Sequence, residues 1–301
     1  MQRVLMISAN DNTVASLALK EYGQVSPRLF QQLLMIYGEP NNIFDNDPEE
    51  IAAMAGINME RAQKIVEAKG SFEDICEMVN RLESINISVV SIFDSAYPES
   101  LRKIADPPIV LYVKGDKTLL EKGGVAIVGA TSADQTGLRA AVDFARELSD
   151  HGQTIISGLA AGIDSAAHLS CLKNNGKTIA ALGCGHLNIY PEENVPLARL
   201  IAESGAVVSE FDVHADAIPG RLISRNRIIA ALADIVILAQ IGEDKKGELH
   251  TARAAVDQCK PVYVYDPEDK YDSETLLNNL IIKVKGIAEI DEILKYIIRN
   301  S

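Results

Sequence analysis

The sequence predicts a doubly wound, Rossmann-like α/β fold with a parallel sheet, preceded by a small all-helical domain. Three observations predict it. From Val125 to Tyr265, short Val- and Ile-rich runs alternate with amphipathic stretches. Those runs are apolar throughout, as in strands covered by helices on both faces. Before about Ile87 the apolar residues instead recur every three to four positions, the helical period.

In chain order, "ASLALKEYG", "SPRLFQQLLMIYG", "DPEEIAAMAG", "NMERAQKIVEAKG" and "SFEDICEMVNRLESI" are expected helices. Most of them end on Gly, a common C-terminal signal. Asp47 before Pro48, with Glu50 three residues on, resembles a capping box. The expected strands are "ISVVSIF", "IVLYVKG", "GVAIVGA", "QTIISG", "TIAALGC", "AVVSEF", "DIVILAQ" and "PVYVYD". Between them fall the helices "TGLRAAVDFARELSDHG", "IDSAAHLSCLKNNG", "NVPLARLIAESG", "RIIAALA" and "GELHTARAAVDQC". The tail "LLNNLIIKVKGIAEIDEILKYIIRN" adds a short strand and a last helix. The reading is of two domains, residues 1–85 helical and residues 86–301 Rossmann-like with a lead-in segment.

The 301 residues supply ample apolar core, at 47% hydrophobic against 24% charged. No apolar run reaches membrane-span length, and "MQRVLMISANDN" lacks a signal-peptide core, so a cytoplasmic protein without a membrane partner is expected. Cys76, Cys171, Cys184 and Cys259 are scattered, which suits reduced thiols. "CGH", Cys184 to His186, has no second ligand pair at zinc spacing, so no metal is expected. No nucleophile signature appears either. The net charge of −13 argues against a broad electrostatic footprint for nucleic acid. Any bound polyanion must meet a local basic patch or backbone amides.

Ligands of open parallel sheets gather at the carboxyl ends of the strands. Five such ends stand out: "VGATS", "SGLAAGIDSAAH", "LGCGHLNIYPEEN", "PGRLISRNRIIA" and "KGELHTA". In the second, Gly158 and Gly162 permit a tight turn, and the helix from Ile163 offers unpaired amides to an anion. Equally, Asp164 can cap those amides and leave nothing bound. His168 lies one helical turn beyond, in reach of an Asp164–His168 contact. In the fourth, Arg225 and Arg227 flank Asn226. Two guanidinium groups suit bidentate phosphate contact. The alternative pairs one Arg with Glu210 or Asp212 and leaves the other solvated. The fifth places Gly247 at a helix start, followed by His250 and Thr251.

Taken as an ordered set, "VAIVGAT", "SGLAAGIDSAAH", "TIAALGCGHLNIYPEEN", "VVSEF", "PGRLISRNRIIAALADIVILAQ" and "GELHTARAAVDQCKPVYV" resembles the DprA/Smf family of natural transformation over roughly residues 86–298. The N-terminal helices resemble that family's SAM-like domain, and "AMAGINMERAQKIVEAK" resembles half of a helix-hairpin-helix. The resemblance implies a protein of natural transformation and recombination. It would bind and protect single-stranded DNA and hand it to the RecA recombinase. It implies homodimerisation, and neither catalysis nor a cofactor. It places phosphate and base contacts at Gly129, Thr131, Ser157, Gly158, Ala161, Gly162, Arg221, Arg225, Asn226, Arg227, Gly247 and Thr251.

Departures from the pattern are specific. The family usually carries Arg where this chain has Thr131, and Arg or Lys at Ala161. Its "SGSLITA" reads "KGELHTA" here, which brings in Glu248. Its "PGHFPRRNR" reads "PGRLISRNR", and Arg221, Lys245 and Lys246 are the compensating candidates. The family's winged-helix module is not expected, since the chain stops at Ser301. Residues 1–85 carry 7 Lys and Arg against 13 Asp and Glu, a net of −6, so this domain lacks a basic skirt. The expected groove is lined by Arg221, Arg225, Arg227 and the Gly158–Gly162 amides, with affinity falling steeply with salt. The competing reading is a small-nucleotide-binding or nucleotide-cleaving pocket in the same place.

Overall fold

The computed structural model describes residues 12–243, 247–272, 274–277, 280–290 and 293–295. The chain forms two compact units, Met1–Val113 and Lys114–Ser301. The sequence division at residue 85 coincides with the end of the helical run, whereas the first unit also takes in the lead-in segment. Contacts within that unit explain this: Thr13 Oγ1 donates to Ser91 Oγ at 3.0 Å, and the Phe30 and Phe93 rings meet edge to face at 6.3 Å.

In the first unit the helices are α1 (Asn12–Leu17), α2 (Pro27–Tyr37), α3 (Pro40–Ile43), α4 (Pro48–Ala55), α5 (Met59–Glu67) and α6 (Phe72–Ser84). The starts of α2, α4 and α5 are capped by side chains. The oxygens of Ser26, Asp47 and Asn58 accept from the amides of Leu29, Glu50 and Arg61 at 3.3, 2.8 and 2.9 Å. Gly56, at φ +63°, ends α4 in the left-handed conformation that spares a Cβ. Phe30, Leu33, Ile43, Ile51, Ile65, Ile75 and Val79 form the core of this unit. Strand β1 (Ile87–Ser91), helix α7 (Glu99–Arg102) and strand β2 (Val110–Gly115) follow, β2 running across the boundary between the units.

The second unit alternates as expected: β3 (Val125–Gly129), α8 (Gln135–Asp150), β4 (Ile155–Ser157), α9 (Ile163–Lys173), β5 (Thr178–Leu182), α10 (Val195–Ser204) and β6 (Ala206–Ser209). Next come α11 (Pro219–Ser224), α12 (Asn226–Leu232), β7 (Ile235–Gln240), α13 (Gly247–Asp257), β8 (Val262–Tyr265) and β9 (Ile281–Val284). Its strands lie in the order β6-β5-β4-β3-β7-β8-β9, and each neighbouring pair is parallel. The chain therefore winds outward from β3 to β6, then returns to the other side of β3. That reversal leaves a crevice at the carboxyl ends of β3 and β7, where the connections diverge.

Phe144 and Leu148 of α8 and Ile163 and Ala167 of α9 pack on Val125, Ile127, Ile155 and Ile237. A second cluster joins Leu197 and Ile201 of α10 to Ala180, Leu182 and Val207. Each large side chain so buried stabilises the unit by about 1.5–3 kcal/mol before entropy is counted. The tail's expected strand is β9. Its expected last helix falls mostly outside the described residues, as do Lys245 and Lys246. Among the described residues no helix is long and apolar enough to cross a membrane.

Candidate functional site

The crevice holds a half-open cup of about 370 Å³. Its floor comes from Val128 and Gly129 at the end of β3 and from Gly158 at the end of β4. Ala160, Ala161 and Asp164 form one wall, and Leu222, Arg225 and Asn226 form another. Gly247, Glu248 and Thr251, in the first turns of α13, close a third side, and Tyr190 and Glu193 stand at the rim.

The turn from β4 to α9 is built by close approaches. Gly162 has φ +74°, and a Cβ there would lie 2.5 Å from the carbonyl oxygens of Ala130 and Thr131. A Cβ on Gly158 would lie 2.2 Å from Nη1 of Arg225. Gly162 thus excludes any side chain, and one at Gly158 would displace the Arg225 guanidinium. Asp164, nearly buried, accepts from the Gly158 amide at 3.1 Å and the Ala160 amide at 3.4 Å. It caps the turn rather than the first turn of α9. The amides of Ala161 and Gly162, at the positive end of α9, have no hydrogen-bond partner among the described residues. Ser157 lies beneath the cup, its hydroxyl donating to the Ile127 carbonyl at 2.6 Å.

Arg225 is 6% exposed. Its Nη1 donates to the carbonyls of Gly158 and Ala181, at the ends of β4 and β5, and its Nε donates to Asn226 Oδ1 at 3.1 Å. The guanidinium braces two strand ends. Burial pushes the Asp164 carboxyl up and the Arg225 guanidinium down, and the opposite charges of the pair resist both shifts. Asn226 in turn donates to the Gly247 carbonyl at 3.2 Å, which ties α12 to α13.

Arg221 and Arg227 do not line the cup. Nη1 and Nη2 of Arg227 donate to Oε1 and Oε2 of Glu210, at 2.7 Å each, in a bidentate and mostly buried pair. The Arg–Glu210 alternative is thus realised, while the other arginine, Arg225, is buried rather than solvated. Arg221 stacks over Phe211 at 5.4 Å and donates to the Asp216 carbonyl at 2.7 Å. These satisfied partners hold both cations away from the cup. Of the expected site residues, Gly129, Thr131, Gly158, Ala161, Arg225, Asn226, Gly247 and Thr251 converge on it.

His168 does not pair with Asp164. Its Nδ1 lies 2.7 Å from Thr178 Oγ1, whose own hydrogen goes to the Ile155 carbonyl at 2.7 Å. The imidazole is therefore protonated at Nδ1, and its buried Nε2 is left without a partner. Burial, aided by Arg225, pulls its pKa down to about 3. Among the described residues no group of three or more His, Cys, Asp or Glu is arranged to hold a metal ion.

Sequence reasoning missed Tyr190 and the role of Glu248 in the wall. Tyr190 is 57% exposed beside Pro191 at the rim. An aromatic two residues before the acidic "EEN" turn was its signal.

Residues 88–298 match the family model described as DNA recombination-mediator protein A. The chain belongs to the DNA recombination-mediator protein A family. The DNA processing protein DprA of Bacillus subtilis is 37% identical over 60% of this chain and 63% of its own length. Protein Smf of Synechocystis is 33% identical over 85% of this chain and 65% of its own. The chain thus spans less than two thirds of these relatives. The crystal structure of DprA from Streptococcus pneumoniae matches with a TM-score of 0.74 at 26% identity, covering 95% of this chain and 98% of that one. DNA processing protein A of Helicobacter pylori, solved for its single-stranded DNA binding mode, matches with a TM-score of 0.62 at 30% identity, over 69% of this chain and 96% of that one. This member of the DNA recombination-mediator protein A family thus keeps the family fold around a cup holding one arginine.

Proposed function

We propose that this protein binds single-stranded DNA with one nucleotide seated in the cup. The base stacks on Tyr190 and the neighbouring phosphate sits on the Ala161 and Gly162 amides. What carries the reading is the cup itself: it is nucleotide-sized, an exposed aromatic stands at its rim, and its wall holds Ala161, whose amide, like that of the adjoining Gly162, has no partner among the described residues. Family membership and the DNA-binding H. pylori relative support it. Protection of the strand, delivery to RecA during transformation or recombination, homodimerisation and a cytoplasmic location belong to the same proposal. The role needs no catalysis, because the strand is held and passed on.

With Arg221 and Arg227 engaged elsewhere, affinity rests on stacking and amides more than on released counterions. The salt dependence expected from the sequence is revised accordingly. The slope should be shallow, about −0.7 for each phosphate held. In fluorescence-anisotropy titrations with a labelled oligonucleotide, Tyr190→Ala should weaken binding about 5- to 100-fold. Its unfolding midpoint should not move, since the ring is exposed. Loss of no affinity, or no binding by the unaltered protein at low salt, would refute the reading. A small free nucleotide would fit the same volume. Thermal stabilisation by nucleoside phosphates without oligonucleotide binding would favour that alternative.

A further inference from the structure

The wall formed by the first turns of α13 carries an acid where a phosphate site would carry a cation. Glu248 is 5% exposed and lines the cup. Its Oε1 accepts from the Gly242 amide at 2.5 Å. The other carboxylate oxygen has no hydrogen-bond partner among the described residues and is not sealed from solvent. A buried carboxylate with an open oxygen repels phosphate and calls for an N–H donor. Close by, Asn226 Nδ2 donates to the Gly247 carbonyl and retains a second hydrogen, and the Arg225 guanidinium reaches the same space. The cup therefore presents one strong acceptor beside donors.

From this juxtaposition we propose that the cup is a nucleobase pocket that selects guanine, with Glu248 as its specificity-determining residue. The inference rests on the strand-binding reading and names the base that reading leaves open. Guanine offers adjacent N1–H and N2–H donors to a carboxylate and presents O6 and N7 as acceptors to Asn226 and Arg225. Thymine offers a single N3–H between two carbonyl oxygens, which the carboxylate repels. Cytosine and adenine offer an amino group but no adjacent second donor, so they rank between the two.

The test uses anisotropy titrations of the full chain with two labelled strands of equal length. One is oligothymidine, and the other carries isolated guanines in a thymine background. The guanine-bearing strand should bind about fivefold tighter or more. Replacing those guanines by hypoxanthine, which lacks the N2 amino group, should forfeit the greater part of that advantage without altering the protein. Glu248→Gln keeps an oxygen for the Gly242 amide but turns the open group into a donor, so it should bring the ratio to about one or below. Equal affinity for the two strands would overturn the inference, as would a preference that survives both hypoxanthine and Glu248→Gln. If no strand binds at all, the strand-binding reading falls. In that case a thermal shift with guanosine monophosphate but not thymidine monophosphate upholds the base assignment, and a shift with neither overturns it too.

Discussion

Replacing Arg225 by methionine should destabilise the protein by about 3–5 kcal/mol, because it removes a buried cation that braces two carbonyls and offsets the buried Asp164 charge. The loss has two parts. The carbonyls of Gly158 and Ala181 lose their donor, and Asp164 keeps a nearly buried carboxylate without its compensating cation. The unfolding midpoint should fall on the order of 10 °C. Adding Asp164→Asn to that variant should recover part of the loss, so the two substitutions together cost less than their sum. Arg225→Lys should fall between, since a single ammonium cannot reproduce the planar fork. Differential scanning calorimetry of the three variants measures this. A change below about 1 kcal/mol for Arg225→Met would mean that the guanidinium does not brace the strand ends.

Stability should also drop by about 4 kcal/mol between pH 7.5 and pH 5 from two buried histidines alone. His168 and His186 are held neutral, at about 3 and about 4 against an ordinary 6.5. Burial is the main cause for both. Arg225 adds to it at His168. At His186 the hydrogen bond to the Val207 carbonyl opposes it and Lys114 reinforces it. Between the folded and unfolded values the unfolded chain binds more protons, so folding weakens as pH falls. The contribution is complete above about pH 6.5 and is progressively lost toward pH 3–4. Asp164 and Asp234, pushed up by burial, act in the opposite sense, since their folded forms take up protons first. His168→Asn keeps a donor for Thr178 and should remove about half of the histidine-linked slope, seen in urea unfolding at the two pH values. An unchanged slope would show that His168 is not buried neutral.

The Rossmann-like architecture was legible because each strand is a run of Val and Ile with no polar alternation, a pattern set by burial on both faces. The Gly158–Gly162 turn was legible for a similar reason, since at Gly162 only glycine fits against the Ala130 and Thr131 carbonyls. The fate of the arginines was not. Arg227 and Glu210 are 17 residues apart, on elements that only the folded sheet brings together. Sequence showed two cations beside a strand end; folding spends one on a carboxylate, turns Arg221 onto Phe211 and buries Arg225 as a brace. Tyr190 escaped notice because an exposed aromatic at a rim leaves no periodic trace. Glu248 registered as a departure from the family pattern, but its place in the wall depends on the Gly242 amide, which no local spacing reveals.

Photocrosslinking tests the central claim most directly. A strand carrying photoreactive 6-thiodeoxyguanosine, which keeps the N1–H and N2–H donors of guanine, irradiated on the full chain and mapped by peptide mass spectrometry, should attach at Tyr190 and within the Ser157–Asp164 turn. Adducts confined to Met1–Val113, or spread over the second unit without touching that rim, would place the strand elsewhere and contradict the account.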